Sequence, residues 1–251
     1  MRIHQTYDFV ERMEKKWFTF DKAKLTIKEA FTLLDDYVDS ADPDINVPNV
    51  IHALQTAEAI RAANKPEWMQ LIGLIHDLGK LMCQWGTKED GQGRRVDEPQ
   101  YALGGDTWVV GCQLPDEAMV LPEFNKLNPD MQNPLYNTAN GIYTPGCGIM
   151  NLKYAFGHDE YMYRMVIHNK CDKNFPHEAL AILRLHSFYP WHTGNAYKQF
   201  EMEGDDKFLL AIRDFNQFDL YSKASEIPDM ETLWPYYQGL IDKYVPGKLD
   251  W

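Results

Sequence analysis

The sequence predicts an all-α fold, a single domain of 251 residues arranged as a helical bundle with a long irregular insertion. Three observations lead there. Apolar residues recur at helical spacing in segment after segment, and alternating strand patterns are scarce. Helix-start and helix-stop chemistry punctuates those segments. One stretch, residues 84–148, breaks the pattern and is rich in Gly, Pro, Asn and Asp.

Thr26 and Glu29 form a capping-box pair, and Ile27, Phe31, Leu34 and Val38 follow at helical spacing. The polar stretch Asp39–Pro48 ends that helix. A second helical pattern runs from Asn49 to Ala63, and a third from Pro66 to Leu78, which stops at Gly79 as a C-terminal cap. Between about Gln84 and Gly148 lie Gly91-Gln92-Gly93, Gly104-Gly105 and two Asn-Pro pairs, Asn128-Pro129 and Asn133-Pro134. A segment this long with so little pattern inside a compact domain points to function or to partial disorder. Helical pattern resumes at Met150–Asn169, His177–Phe188, Asp206–Phe218 and Met230–Tyr244. Repeats, low-complexity tracts and linkers are absent, which favours one domain spanning residues 1–251.

The net charge of −12 opposes a nucleic-acid partner, because phosphate binding needs a basic face. Uninterrupted apolar runs such as Phe208–Ile212 are too short to span a bilayer, so no membrane partner is expected. No basic, apolar leader opens the sequence, and a cytoplasmic monomer is the expectation. Cys83, Cys112, Cys147 and Cys171 form no CxxC pair, which leaves neither a zinc-thiolate site nor a redox motif.

The chemistry concentrates in histidines and aspartates. His76-Asp77 closes an apolar helical segment, and His52 lies on the segment before it. Imidazole with carboxylate suits iron, manganese or zinc, and a carboxylate beside an imidazole can bridge two metals while the imidazole binds one. His158 heads a later amphipathic segment, His186 lies near the end of another, and Asp219 closes Phe215-Asn216-Gln217-Phe218-Asp219. Each alone reads as a satisfied core group or a surface acid. Six such groups on five helix-like segments need partners, and a shared metal site supplies them all. Lys80 is four residues past His76, and Lys223 is four past Asp219. On a continuing helix each ammonium would share a face with a ligand.

These residues carry a resemblance. The order His52 … His76-Asp77 … Asp219 resembles the HD-domain superfamily, whose members are mostly metal-dependent phosphohydrolases. Within it the chain is similar to the myo-inositol oxygenases. The resembling segments include His4-Gln5-Thr6, Asp42-Pro43-Asp44, Gln55-Thr56-Ala57-Glu58, His76-Asp77-Leu78-Gly79-Lys80 and Gly105-Asp106-Thr107. They continue through Gly157–Tyr163, His186–Gly194 and Tyr236–Tyr244, nearly the whole length. The resemblance implies an HD-like helical fold and a non-haem di-iron oxygenase. The implied reaction uses O2 to open myo-inositol between C1 and C6, giving D-glucuronate in the first step of inositol catabolism.

It also implies the cofactor and the site: two iron ions per chain, mixed-valent Fe(II)/Fe(III) in the active form, and no organic cofactor. His52, His76 and Asp219 are implied to hold one iron, His158 and His186 the other, with Asp77 bridging. Substrate contacts are implied at Asp39, Ser40, Ala41, Lys80, Gly105, Asp106, Ser187 and Lys223, with Lys80 favouring a substrate alkoxide. Where the family often has Ser, this chain has Ala41, so a backbone contact is expected there.

Two departures stand out. The family's pattern places an arginine-bearing segment ahead of the His-Gln-Thr motif; the sequence here opens at Met1-Arg2-Ile3-His4, and Arg2 does not align with that arginine. An insertion around Gly86–Asp97 brings Arg94 and Arg95, read as a solvated loop. His4, His168, His177 and His192 stay outside the expected site. The alternative readings are an HD-type metal-dependent phosphohydrolase, disfavoured by the extra histidines and by the scarcity of clustered arginine, and a catalytically silent binding protein, disfavoured by six intact ligands.

Overall fold

The protein was analysed as a computed structural model that describes residues 1–35, 37, 38, 48–220 and 229–251. Its framework is helical: α1 Tyr7–Trp17, α2 Ile27–Leu33, α3 Asn49–Ala62, α4 Glu67–Ile75, α5 His158–His168, α6 His177–Leu185, α7 Tyr189–His192, α8 Asp205–Asp219 and α9 Met230–Tyr244. Strand pairing among the described residues is confined to a two-residue antiparallel ribbon, β1 Lys24–Leu25 with β2 Leu249–Asp250, and one isolated bridge between Val109 and Tyr154. No described helix is long and apolar enough to cross a membrane.

Local chemistry accounts for most boundaries. Thr26 accepts from the Glu29 N–H while Glu29 reaches back to the Thr26 N–H at 2.7 Å, the reciprocal cap expected at α2. That helix stops at Leu33, short of Val38. The α1 helix has no counterpart among the expected segments, although Thr6 caps it and Phe9, Val10, Met13 and Trp17 bury one face. The expected helix over 150–169 begins only at His158, because a 3-10 turn Ile149–Asn151 is followed by Leu152–Phe156, drawn out to pair with the Gly105–Cys112 stretch: Val110 N–H donates to Lys153 O and Ala155 N–H to Trp108 O. Residues 84–148 hold short 3-10 turns, such as Lys88–Asp90 and Pro122–Leu127, and no α-helix.

The third expected helix differs in a way that matters for the site. α4 ends at Ile75 and tightens into a 3-10 helix, His76–Gln84. Gly79 therefore does not cap a helix. It permits a close approach: a Cβ there would fall inside van der Waals contact of the His158 carbonyl. Gly73 serves the crossing of α3 and α4, where a Cβ would stand 3.1 Å from Ala57 Cα. Around these crossings α5 packs on the 3-10 helix and on α6, and α6 packs on α8. Trp17, Trp108, Trp191 and Trp251 are fully buried in the surrounding core.

A buried ion pair ties α5 to α6. Arg184 donates from Nε to Glu160 Oε2 at 2.6 Å, and its other nitrogens reach the Met150 and Leu152 carbonyls. Glu160 also accepts from Arg164 Nε at 2.7 Å. Burial alone would raise the Glu160 carboxyl; the two guanidinium groups override that and hold it below its usual range.

Candidate metal centre

Helix ends deliver the key side chains to one buried point. His52 stands in the first turns of α3, His76 follows the last residue of α4, and Asp77 comes next in the 3-10 helix. His158 opens α5, His186 follows the end of α6, and Asp219 is the last residue of α8. None of these six side chains is more than 9% exposed.

The geometry divides into two halves around Asp77. Its Oδ2 faces one half, 3.9 Å from His52 Nε2 and 3.7 Å from His76 Nε2. Asp219 Oδ1 closes that half at 2.9 Å from His52 Nε2 and 3.1 Å from His76 Nε2. Asp77 Oδ1 faces the other half, 3.1 Å from His158 Nε2 and 3.9 Å from His186 Nε2. The carboxylate thus spans two groups of imidazoles, and ligand atoms of His52, His76 and Asp219, and of His76, Asp77 and His186, lie within reach of a shared ion.

The rings are fixed from behind. His76 Nδ1 lies 2.9 Å from Gly73 O, His158 Nδ1 2.7 Å from Leu103 O, and His186 Nδ1 3.1 Å from Ile182 O. A carbonyl can only accept, so each Nδ1 carries a proton and each Nε2 is aimed at the centre, where a proton or a metal ion can bind it. This is how metal-bound imidazoles are oriented.

The electrostatics fit a cation as well. Burial alone would lower the His76 pKa, yet the carboxylates of Asp77 and Asp219 raise it to about 9. Both carboxyls sit well below their ordinary range: burial opposes this, but Lys80 and His76 outweigh it at Asp77, and His76 and His52 do so at Asp219. In the other half, burial pushes His186 down to about 4. A buried cluster of lone pairs and anions that draws protons onto its imidazoles suits hard or borderline cations with nitrogen and oxygen preference.

Lys80 is at the centre, in a different register from the expected one. In a 3-10 helix residues three apart align, so Lys80 lies over Asp77 rather than over His76, with Nζ 2.9 Å from Asp77 Oδ2. It also donates to Asn49 Oδ1 at 3.1 Å. Ser187, next to His186, is buried; its N–H donates to Asp159 Oδ2 and its carbonyl accepts from Thr107 N–H at 2.9 Å. Thr107 follows Gly105 and Asp106, so these two lie on a loop tied to the residue after His186; Gly105 takes φ +85°, which needs glycine. Asp39, Ser40, Ala41 and Lys223 lie outside the described residues.

Three residues not foreseen support the centre. Asn49 holds Lys80. Asp159 places Oδ1 3.2 Å from His158 Nδ1 while holding the Ser187 N–H. Asn216 donates to the His186 carbonyl at 3.1 Å. Only Asp159 gave a signal, its place beside His158; the other two are ordinary helix residues in sequence. His192 stays outside: its ring, held neutral chiefly by burial, donates from Nε2 to His186 O at 3.0 Å. His4 stacks on Tyr101 and His168 packs on Phe20. Arg95 is exposed and pairs with Asp97, and Arg94 donates to Leu33 O.

The profile of the family described as myo-inositol oxygenase matches residues 1–251. The chain is 47% identical over 252 residues to an inositol oxygenase of Mus musculus, covering 100% of this chain and 84% of that protein. It is 45% identical to one of Homo sapiens, with 100% and 84% covered. It is 44% identical to one of Dictyostelium discoideum, with 99% and 82% covered.

Proposed function

The chain belongs to the myo-inositol oxygenase family, and from that premise we propose that it uses two irons, mixed-valent when active, to cleave myo-inositol with O2. One O2 per ring opened at C1–C6 gives D-glucuronate, one proton and one water. In this reading His52, His76 and Asp219 would hold one iron, His158 and His186 would hold the other, and Asp77 would be shared between them. The observation that carries it is the Asp77 carboxylate, whose two oxygens face separate groups of imidazole nitrogens. When bound, the irons supply a Lewis acid for a substrate oxygen and an electron source for dioxygen.

The protein residues prepare the substrate. Lys80 Nζ, 2.9 Å from Asp77 Oδ2, offers an ammonium beside the bridging carboxylate and stabilises a substrate hydroxyl as its alkoxide. Asn49 keeps that ammonium in place. Gly105 meets the ring through its backbone, Asp106 accepts hydroxyl hydrogens, and the Ser187 hydroxyl bonds to the ring. Asp39, Ser40, Ala41 and Lys223 complete the polyol contacts. Burial of the six ligands keeps bulk water from the reacting carbon, which limits side reactions.

The test measures O2 uptake and glucuronate in one vessel, with iron-loaded, mildly reduced protein and myo-inositol. The expected result is one O2 per glucuronate, abolished by Asp77→Ala. No inositol-dependent O2 uptake, together with hydrolysis of phosphoesters, would replace this reading by the phosphohydrolase one.

A further inference from the structure

Arg2 carries a fixed positive charge to the loop that holds Asp106. Its guanidinium lies over the Trp108 ring, 4.3 Å from Cζ to the centroid. Nε donates to Asn125 Oδ1 at 2.8 Å and a terminal nitrogen donates to Val120 O at 3.0 Å. Asn125 is itself buried and locked, because its Nδ2 donates to Asp116 Oδ1 at 2.8 Å. Asn128 Nδ2 fastens the Arg2 backbone carbonyl at 2.8 Å. Ordering a side chain with this much rotamer freedom is costly. Only a planar fork can stack and donate in two directions at once, so lysine is not an equivalent here.

The same loop reaches the metal centre. Trp108 is two residues past Asp106, and between them the Thr107 N–H donates to Ser187 O and its hydroxyl to Ala155 O at 3.2 Å. Among the described residues, no hydrogen bond is made to the Asp106 carboxyl. Burial pushes that carboxyl up from its ordinary range; the Arg2 charge opposes this, and the Asp159 carboxylate adds to it. Asp159 itself is committed to His158 and Ser187. Arg2, held from outside by Asn125, thus brings a positive charge to the side of this loop.

We propose that Arg2 is a positioning residue for the polyol substrate: clamped by Asn125, Val120 and Trp108, it holds the Asp106 loop in place so that the Asp106 carboxyl can meet ring hydroxyls. This rests on the reading that Asp106 contacts inositol. A carboxylate accepts hydroxyl hydrogens far better than a neutral acid does. Arg2 acts through Asp106 and touches no reacting atom.

A double-mutant cycle on the metal-loaded protein tests it, read as equilibrium binding of myo-inositol by calorimetry. Arg2→Gln or Arg2→Met, whichever folds, should bind about tenfold more weakly, the scale of one charge-assisted hydrogen bond, with metal content unchanged. Asp106→Asn should also weaken binding, and adding the Arg2 change to it should cost nothing further, because the two act through one carboxylate. Wild-type affinity in the Arg2 variant would overturn the proposal. So would losses that add in full in the double variant, since Arg2 would then only fasten the 116–128 segment. A wild-type protein that binds no myo-inositol would overturn the substrate reading itself, and the two failures are told apart by that first titration.

Discussion

His158 Nε2 and His186 Nε2 face each other at 3.0 Å, and each ring spends its Nδ1 proton on a backbone carbonyl. Two lone pairs cannot face each other at that distance, so a proton or a metal ion must lie between or beside them; burial disfavours a proton on His158, and the Asp159 and Asp77 carboxylates override that. The Asp77 Oδ1 atom, 3.1 Å from His158 Nε2, completes that half of the centre. His52, His76 and Asp219 repeat the arrangement around the other carboxylate oxygen.

Removing the shared carboxylate should empty both halves. Asp77→Ala is expected to lose both metals together in elemental analysis, because each half depends on one of its oxygens. Asp219→Ala should weaken metal binding in the His52–His76 half and leave the other nearly intact. Two metals retained in Asp77→Ala would contradict the bridge.

Metal-free protein should show a stability maximum near neutral pH. Asp77 and Asp219 raise the His76 pKa from 6.5 to about 9 against the effect of burial. Its contribution is therefore full below 6.5 and is lost as pH rises through 9. Burial holds His186 and His192 at about 4, so their contribution is full above 6.5 and is lost as pH falls toward 4. Denaturation midpoints of chelator-treated protein should fall on both sides of about pH 6.5. Metal loading should remove the alkaline decline, since the ion replaces the proton on His76 Nε2. A metal-free protein that gains stability from pH 7 to 9 would be inconsistent with this centre.

Asn49→Ala should loosen Lys80, which keeps its bond to Asp77, without disturbing the metal ligands. Binding of myo-inositol should weaken by about 1–3 kcal/mol, the range for losing a partner of a charged group, while metal content stays at the wild-type value. Loss of metal in this variant would make Asn49 a structural support of the centre instead.

Arg184→Met leaves Glu160 buried with only Arg164 to offset its charge. The expected cost is about 3–5 kcal/mol in chemical denaturation, the range for breaking one side of a buried ion pair. Because Glu160 and Arg184 lie on the helices that bear His158 and His186, that half should also bind metal more weakly. A variant with wild-type stability would place the pair among neutral contacts.

Gly79→Ala should be severe although the residue never touches a ligand atom. Its added methyl meets the backbone of His158, so α5 must move away from the 3-10 helix. Loss of metal affinity with helicity retained is the expected pattern in parallel metal analysis and circular dichroism.

Much of this was legible in the sequence, and the misses have physical reasons. Periodicity located α3, α6, α8 and α9 because each buries one face against the others. The six His and Asp groups stood out because buried polar groups need partners. Gly79 misled because a helix-stopping glycine and a close-approach glycine look alike without the neighbouring chain. The tightening of residues 76–84 into a 3-10 helix could not be seen either, and it moved Lys80 from above His76 to above Asp77. Asn49 and Asn216 act through contacts across the fold that no local pattern announces. Leu152–Phe156 reads as helical on apolar spacing, yet backbone bonds to the Gly105–Cys112 stretch draw it out.

Sharing of one carboxylate by two metals is visible in anomalous scattering at the iron edge from crystals of iron-loaded protein. Two peaks flanking Asp77 are expected, one beside His52, His76 and Asp219, the other beside His158 and His186. A single peak, or two peaks with Asp77 bound to only one, would contradict it.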